Sequence, residues 1–552
     1  MTNPLRFATI PELRARLDSG ETTPGELARL AIDGLETIGR DLNAVATTLP
    51  IRAQSDLTRL TRRRSRSSAL TGIPWGAKDL ISVKGAPTTW GAPPYRDRIF
   101  DTDATIVTRL AAAGAPLVAK LSTIELAGGW GYRYPNASLQ GATRTPWNIN
   151  HWAGGSSSGS AAAVAAGLVP FAIGSETSGS IVTPAAFCGV SAIRPTVGLV
   201  SRHGVMPLSW TLDKLGPFAR TARDAWTVLR AIEGYDPADD STRSRKQRRL
   251  AELPSADQLK YLRIGFAEAD FDEYTVPPAR EAFATALRDL RRLGATWVQA
   301  SLPADIPYGA IISTIGASEA ASAHGELIES YQFQFLVDAK QKASLLAGRE
   351  IPAHVYLDAQ RARRQVIRAF ETIFESCDVI VSVARADGAP PHDAPLDMFT
   401  SDPGSEGPAQ PTNRAIFDFN MAFDKYLLKP VAEGYRWSLP DDTRAVIRRV
   451  LTNLRAPITF GNDVLQGNMG RAMETLMRMT VNTIMGMGGM FDVAGQYGLQ
   501  RHEEDFGQTL AVWGFDEGPY IMLPIFGPSN VRDAIGLGVD SVADPLGWFI
   551  GT

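Results

Sequence analysis

Residues 152–194 read WAGGSSSGSAAAVAAGLVPFAIGSETSGSIVTPAAFCGVSAIR, and no other stretch limits the fold of this 552-residue chain so sharply. Ten serines and threonines stand among glycines and alanines, with Glu176 the single charge before Arg194. Small residues at this density let one backbone approach another, or a ligand, and a hydroxyl flanked by glycine can sit exposed on a tight turn. Composition alone would also suit a flexible linker. The order of the residues argues for structure instead. Residues 160–167 predict a short helix opened by a Ser cap and closed by Gly. Residues 168–173 then make an apolar run suited to a buried strand, and a second Gly-Ser turn follows. The uncharged run is about long enough to span a bilayer, but its Gly, Ser and Pro170 argue against that reading.

The blocks GGSSSGSAAAVAAG (154–167) and GSETSGSIVTPAAFCG (174–189) resemble the amidase signature enzymes, serine hydrolases of amides. Three further blocks follow the family's order: LTGIPWGAKDL (70–80), RPTVGLVSRHG (194–204) and WTLDKLGP (210–217). The resemblance implies an α/β fold, a three-layer α/β/α domain with a mixed central sheet, and a Ser–cis-Ser–Lys triad. Residue by residue, Ser180 matches the nucleophile, Ser156 the bridging serine after a cis peptide, and Lys78 the buried lysine. Backbone amides of Thr177, Ser178, Gly179 and Ser180 match the oxyanion hole. Elementary chemistry agrees with these roles. Serine needs a neighbouring base, and a desolvated neutral lysine can supply it. Lys78 ends the apolar run 73–78, where burial would lower its pKa. No cofactor is implied, and the partner is a small-molecule amide, cleaved to release ammonia or an amine. Asp79 and Asp213 are expected to cap or pair rather than catalyse.

A rival reading starts from GSSSG at 155–159, which matches the G-x-S-x-G nucleophile elbow and would make Ser157 the nucleophile, with His324 or His354 as base. A five-residue match in Ser/Gly-rich sequence is cheap, and no HGGG-like segment accompanies it. The chain also departs from the amidase pattern. Ser178 and Ser158 stand where glycine is usual, and Val182 where many members carry arginine. A side chain at 178 is expected to narrow the oxyanion turn.

Residues 388–410 are rich in Pro, Gly and acidic groups and read as a linker. Beyond them, FDFNMAFDKYLLKPVAEGYR (417–436), LQGN (465–468), VNTIMGMGGMFDVAG (481–495) and the block 505–536 resemble the MlaA/VacJ outer-membrane lipoproteins, which help remove misplaced phospholipids. That resemblance implies amphipathic helices lying within a bilayer around a small channel, and contact with phospholipid or membrane through 411–552. The expected domains are an amidase part over 1–390, a linker over 391–410 and a mainly helical lipoprotein-like part over 411–552. Both parts are expected to be incomplete, the first lacking roughly its last fifth, the second its secretion signal and lipidated cysteine.

A net charge of −3 gives no reason to expect nucleic-acid binding. The six histidines show no ligand spacing, so no metal is expected. Two cysteines, Cys188 and Cys377, suggest reduced thiols. Residues 1–20 lack an apolar signal core, and TPGE at 23–26 reads as a capping box opening a helix. These features point to the cytoplasm, while the C-terminal part resembles outer-membrane proteins. Three readings remain: an amide hydrolase carrying a passenger segment, a phospholipid-transport module with an inactive amidase portion, and a fused chain in which neither part functions.

Overall fold

The glycines and alanines of the 152–194 window are small because a helix passes directly against a sheet there. In the computed structural model, a Cβ on Gly159 would lie 2.3 Å from the Ala44 carbonyl oxygen and 2.4 Å from the Ser122 nitrogen. Such overpacking typically costs about 1–3 kcal/mol. The structure describes residues 3–62, 68–245, 250, 260–267, 275–303, 306–385, 387–396, 427, 435, 438–502, 504–515, 520–523 and 527–544. It separates into two units, Met1–Pro403 and Gly404–Thr552.

In the first unit the strands β1 (Val45–Thr48), β2 (Trp75–Lys78), β3 (Leu117–Leu121), β6 (Phe171–Glu176), β7 (Ser191–Ala192) and β8 (Lys214–Ala219) form one sheet in the order β1-β3-β2-β6-β8-β7. The strands β4 (Arg144–Thr145) and β5 (Asn148–Trp152) make a separate antiparallel pair. The centre of the sheet, β3-β2-β6, is parallel, and β1, β8 and β7 are antiparallel to their neighbours, so the sheet is mixed as expected. One face packs Leu13, Leu70, Ile73, Trp75, Phe171 and Val228 into a core. The other face buries Leu35, Val118, Phe218 and the alanines of the helix Ser158–Ala165. Helices on both faces complete three layers.

The helix begins at Ser158 rather than Ser160 and has no Ser side-chain cap: the Ser157 hydroxyl donates to the Ser175 carbonyl at 3.0 Å and accepts from the Ser175 N–H at 3.2 Å, and the Ser160 hydroxyl donates to the Ile173 carbonyl at 3.2 Å. The strand expected at 168–173 runs from Phe171 to Glu176 instead. Pro170 has no N–H to give to a sheet ladder, so pairing starts after it. The capping box is present: Thr23 accepts from the Glu26 N–H at 3.2 Å while Glu26 accepts from the Thr23 N–H at 2.8 Å.

Farther along, β9 (Arg263–Phe266), β10 (Thr296–Gln299) and β11 (Val379–Ile380) form a small parallel sheet in the order β10-β9-β11. The helices Pro277–Arg292 and Ala353–Ser376 accompany it.

Most of the expected linker, and most of the lipoprotein-like stretch 417–436, lies outside the described residues. The second unit contains the helices Asp441–Leu465, Met469–Ile484, Val493–Gln496, Phe506–Val512 and Val531–Ala543, with a hairpin of β12 (Tyr520–Leu523) and β13 (Gly527–Asn530). The LQGN block is the turn between the first two helices, with Gly467 at φ +77°. Among the described residues no helix is long and apolar enough to cross a membrane.

Candidate active site

Lys78 is the last residue of β2, a strand whose four residues are all buried between β3 and β6. Its side chain is completely buried, and its Nζ lies 2.7 Å from Ser156 Oγ, 2.9 Å from Ser175 Oγ and 3.4 Å from the Ser175 carbonyl oxygen. Among the described residues no carboxylate oxygen comes within 4 Å of it. Burial therefore holds the Lys78 ammonium well below its usual range, and the more distant Asp213 and Glu176 pull the other way without reversing the shift. Lys120, on the neighbouring strand β3, is equally buried but lies 2.7 Å from Asp79. Asp79 also accepts from the Thr89 hydroxyl at 2.5 Å and backbone N–H at 3.2 Å. Asp79 is thus a structural ion-pair partner, as expected from the sequence. Two buried lysines stand on neighbouring strands one residue out of register, and the one without a counter-ion touches a serine.

That serine follows a cis peptide between Gly155 and Ser156. The next turn brings in Ser180, half-buried after Gly179 at φ +89°, whose carbonyl accepts from the Ser157 N–H at 3.3 Å. The structure therefore joins Lys78 to Ser156 directly and sets the Ser180 backbone beside them. Among the described residues the Ser180 hydroxyl has no hydrogen-bond partner, so the Ser156–Ser180 link is not formed. Hydrogen bonds of this kind are often long or unmade before substrate is bound.

Glu176 governs the turn from 177 to 182. Its buried carboxylate accepts from the backbone N–H groups of Ile181 at 2.8 Å and Val182 at 3.0 Å, and pairs with Arg194 at 3.1 Å. Burial pushes its pKa up, but the N–H groups of Ile181, Val182 and Gly179, with Arg194, outweigh that and hold it low. Thr177 is held by two partners: its hydroxyl donates to Asp213 at 2.5 Å and its carbonyl accepts from Lys214 Nζ at 3.1 Å. Asp213, which caps the N–H groups of Leu208 and Ser209, has its pKa raised by burial. Ser178, where a side chain was expected to narrow the turn, is exposed. Ser158 is buried against the Thr143 hydroxyl at 3.2 Å. A cleft of about 230 Å³ opens alongside, lined by Ser175, Thr177, Trp210, Asp213, Lys214 and Leu215 among others.

The elbow reading fails on geometry. Ser157 is fully buried with its hydroxyl committed to Ser175. His324 is buried edge-on to Trp90, and burial pushes its pKa to about 4.

Sequence reasoning missed Ser175, Lys214 and the role of Glu176. The last left a signal, since the lone charge in the window pairs with the arginine that ends it. Sequence spacing also hid a cluster in the second unit, where ligand-type atoms of Asp463, His502 and Glu504 lie within 4.8 Å of one another. Each has protein partners: His502 and the Thr475 hydroxyl contact Asp463 at 2.9 and 2.8 Å, while Arg471 and Gln466 reach Glu504 at 2.8 and 3.1 Å. Cys188 and Cys377 are free and buried, and burial raises the Cys188 thiol to about 12.

Residues 26–406 match the family model described as Amidase, and residues 405–551 match that described as MlaA lipoprotein. A glutamyl-tRNA(Gln) amidotransferase subunit of Azoarcus sp. (strain BH72) is 35% identical over 431 residues, a match covering 72% of this chain and 87% of that protein. Among solved structures, the native peptide amidase of Stenotrophomonas maltophilia aligns with a TM-score of 0.61 at 29% identity, covering 71% of this chain and 88% of that one. An amidase family protein of Bacillus anthracis str. Ames aligns with a TM-score of 0.58 at 29% identity, covering 66% and 77%.

Proposed function

Because the chain belongs to the amidase family, we propose that residues 1–390 form an amide hydrolase with Ser180 as nucleophile, Ser156 as proton relay and Lys78 as general base. The observation that carries this reading is the 2.7 Å contact between Lys78 Nζ and Ser156 Oγ, in a setting where burial favours the neutral amine. A neutral amine can take a proton, whereas an ammonium cannot.

In the first half-reaction Lys78 accepts the Ser156 proton as Ser156 accepts that of Ser180. Ser180 Oγ then attacks the amide carbon, and backbone N–H groups of the 177–180 turn bind the developing oxyanion. Losing one such donor costs about 3–4 kcal/mol in comparable enzymes. The carbon–nitrogen bond breaks as the proton returns through Ser156 to the leaving nitrogen, which departs as ammonia or an amine. Water then repeats the relay and cleaves the ester on Ser180. The proposed substrate class is a small, non-peptide amide; the modest volume of the cleft beside Thr177 supports its small size. The test is ammonia release from a panel of small primary amides by the full chain. The reading expects turnover of at least one amide and none by Ser180→Ala; equal turnover by the two proteins would sink it.

A second reading concerns residues 411–552, and a specific observation favours it. The helix Met469–Ile484 buries Ala472, Thr475 and Asn482 while Met469, Met473, Met477 and Ile484 are exposed. An apolar exterior of this kind supports contact with phospholipid. Co-sedimentation of the full chain with phosphatidylethanolamine/phosphatidylglycerol vesicles tests it, and a chain left wholly in the supernatant contradicts it. The amidase reading keeps the first part cytoplasmic, while the outer-membrane resemblance belongs to this second reading.

A further inference from the structure

We infer that Lys214 is a positioning residue for the oxyanion turn: its hydrogen bond to the Thr177 carbonyl sets the direction of the Ser178 N–H. The inference rests on the proposed roles of Ser180 and the 177–180 turn and adds a residue that those roles do not include.

In a planar trans peptide the carbonyl and the following N–H point in opposite directions, so fixing one fixes the other. The Thr177 carbonyl points at Lys214 Nζ, 3.1 Å away. The Ser178 N–H therefore faces the opposite side of the turn. Lys214 is itself rigidly based. It is the first residue of β8 and pairs across the sheet with Glu176, the residue before Thr177. Among the described residues no carboxylate lies within 4 Å of its Nζ. The Thr177 carbonyl is thus the hydrogen-bond acceptor for its ammonium.

The rest of the turn is anchored separately, which leaves this one peptide plane to Lys214. Beyond Ser180, Glu176 grips the N–H groups of Ile181 and Val182. Before Ser178, the Thr177 hydroxyl is tied to Asp213, whose other oxygen takes the N–H groups of Leu208 at 2.8 Å and Ser209 at 2.9 Å. That loop is braced from outside by the buried Glu319. Glu319 accepts from the Thr211 N–H at 3.1 Å, the Thr211 hydroxyl at 2.8 Å, the Ser209 hydroxyl and the Tyr356 hydroxyl at 2.8 Å. A cation is the stronger donor to a carbonyl than a neutral group would be. A loop and a strand therefore converge on Thr177, the loop braced in turn by Glu319, and Lys214 makes the contact to the peptide that carries the Ser178 N–H.

The experiment measures the rate of covalent labelling of the full chain by a fluorophosphonate, whose tetrahedral phosphonyl oxygen demands the same donors as the amide oxyanion. Varying probe concentration separates the maximal rate, kinact, from the binding constant, KI. Lys214→Met should lower kinact about tenfold or more with KI changed less than about twofold, because the lost group orients a donor rather than binding the probe. Lys214→Gln, which keeps a donor on a shorter stem, should recover part of that loss. Thr177→Val, which removes only the tie to Asp213, should lose less than Lys214→Met. A wild-type chain that takes no label overturns the Ser180 reading and this inference with it. A labelled wild type with kinact unchanged in Lys214→Met overturns the inference alone and leaves Ser180 standing. A change confined to KI also overturns it, and assigns Lys214 to ligand binding. Should Lys214→Met fail to fold, the other two variants decide, and wild-type kinact in both overturns the inference.

Discussion

Among the described residues, the two units differ in the balance of what they bury. In the first, Trp75, Phe171, Phe218 and a dozen or more aliphatic side chains are sealed in, and the helix Ser158–Ala165 turns Ser, Gly, Ala and Val164 into the core. In the second, the described residues with the least exposure include Asn462, Asp463, Thr475 and Thr509, while Met469, Ile484, Met487 and Val542 each stand more than 60% exposed. Among the described residues, the second unit's interior holds a polar network: Asn462 with Asp540 at 3.2 Å and Thr509 at 2.7 Å, Asp463 with Thr475 and His502. Helical periodicity is present in both. What differs is which face the fold turns inward, and that depends on the solvent for which the outer face is built.

The largest expected effect follows directly. Phe171→Ala in the first unit should cost about 3–5 kcal/mol in a denaturant titration, while Met473→Ala in the second should stay within about 0.5 kcal/mol in water. Met473→Glu should instead weaken vesicle binding. If the second unit's exposed methionines stabilise it in water as much as Phe171 stabilises the first, the contrast is broken.

A middle-sized effect concerns the buried lysine, where function opposes stability. Because the folded pKa of Lys78 lies well below its usual 10.5, the unfolded chain holds one more proton across the window between those values. Stability of the first unit should therefore rise with pH through that window, and activity should fall as pH drops through the lowered pKa. Lys78→Met should abolish activity, remove that rise and, at neutral pH, raise the melting temperature by roughly 1–3 °C. A lower melting temperature for Lys78→Met would mean that the amine is held by its contacts with Ser156 and Ser175 more than it is penalised by burial.

The smallest effects are those of two helix caps. Glu26→Ala removes one side of the Thr23 capping box, and Asp505→Ala removes the acceptor of the Gln508 N–H at 2.7 Å. Each should cost about 1 kcal/mol. If the units unfold separately, the two substitutions shift different calorimetric transitions; a common shift would sharpen the comparison into one of two halves of a single cooperative body.

What was legible in the sequence was local. Thr23 with Glu26 announced a cap and the apolar run before Lys78 suited a buried lysine, but Ser156 and Ser180 stood out from ordinary turn serines only through the resemblance to the amidase signature. The expected Ser cap failed where side chains crossed to another element, the hydroxyls of Ser157 and Ser160 bonding to the carbonyls of Ser175 and Ile173. The braces on the turn were out of reach for the same reason. Thr177 meets Asp213 across 36 residues, and Glu319 meets Thr211 across 108, contacts that exist only once β6 and β8 pair and the later helix packs. In the second unit the methionine stripe was legible as amphipathic, but a stripe does not say whether it faces a core or the outside. That is settled by Thr475 and Asn482 occupying the buried face.

The central claim is that Lys78, Ser156 and Ser180 assemble into a working relay, and the most direct measurement is peptide mapping of the full chain after fluorophosphonate treatment. The account predicts one adduct, on Ser180, absent from both Ser180→Ala and Lys78→Ala. An adduct on Ser157, labelling that survives Lys78→Ala, or a folded wild type that takes no label would contradict it.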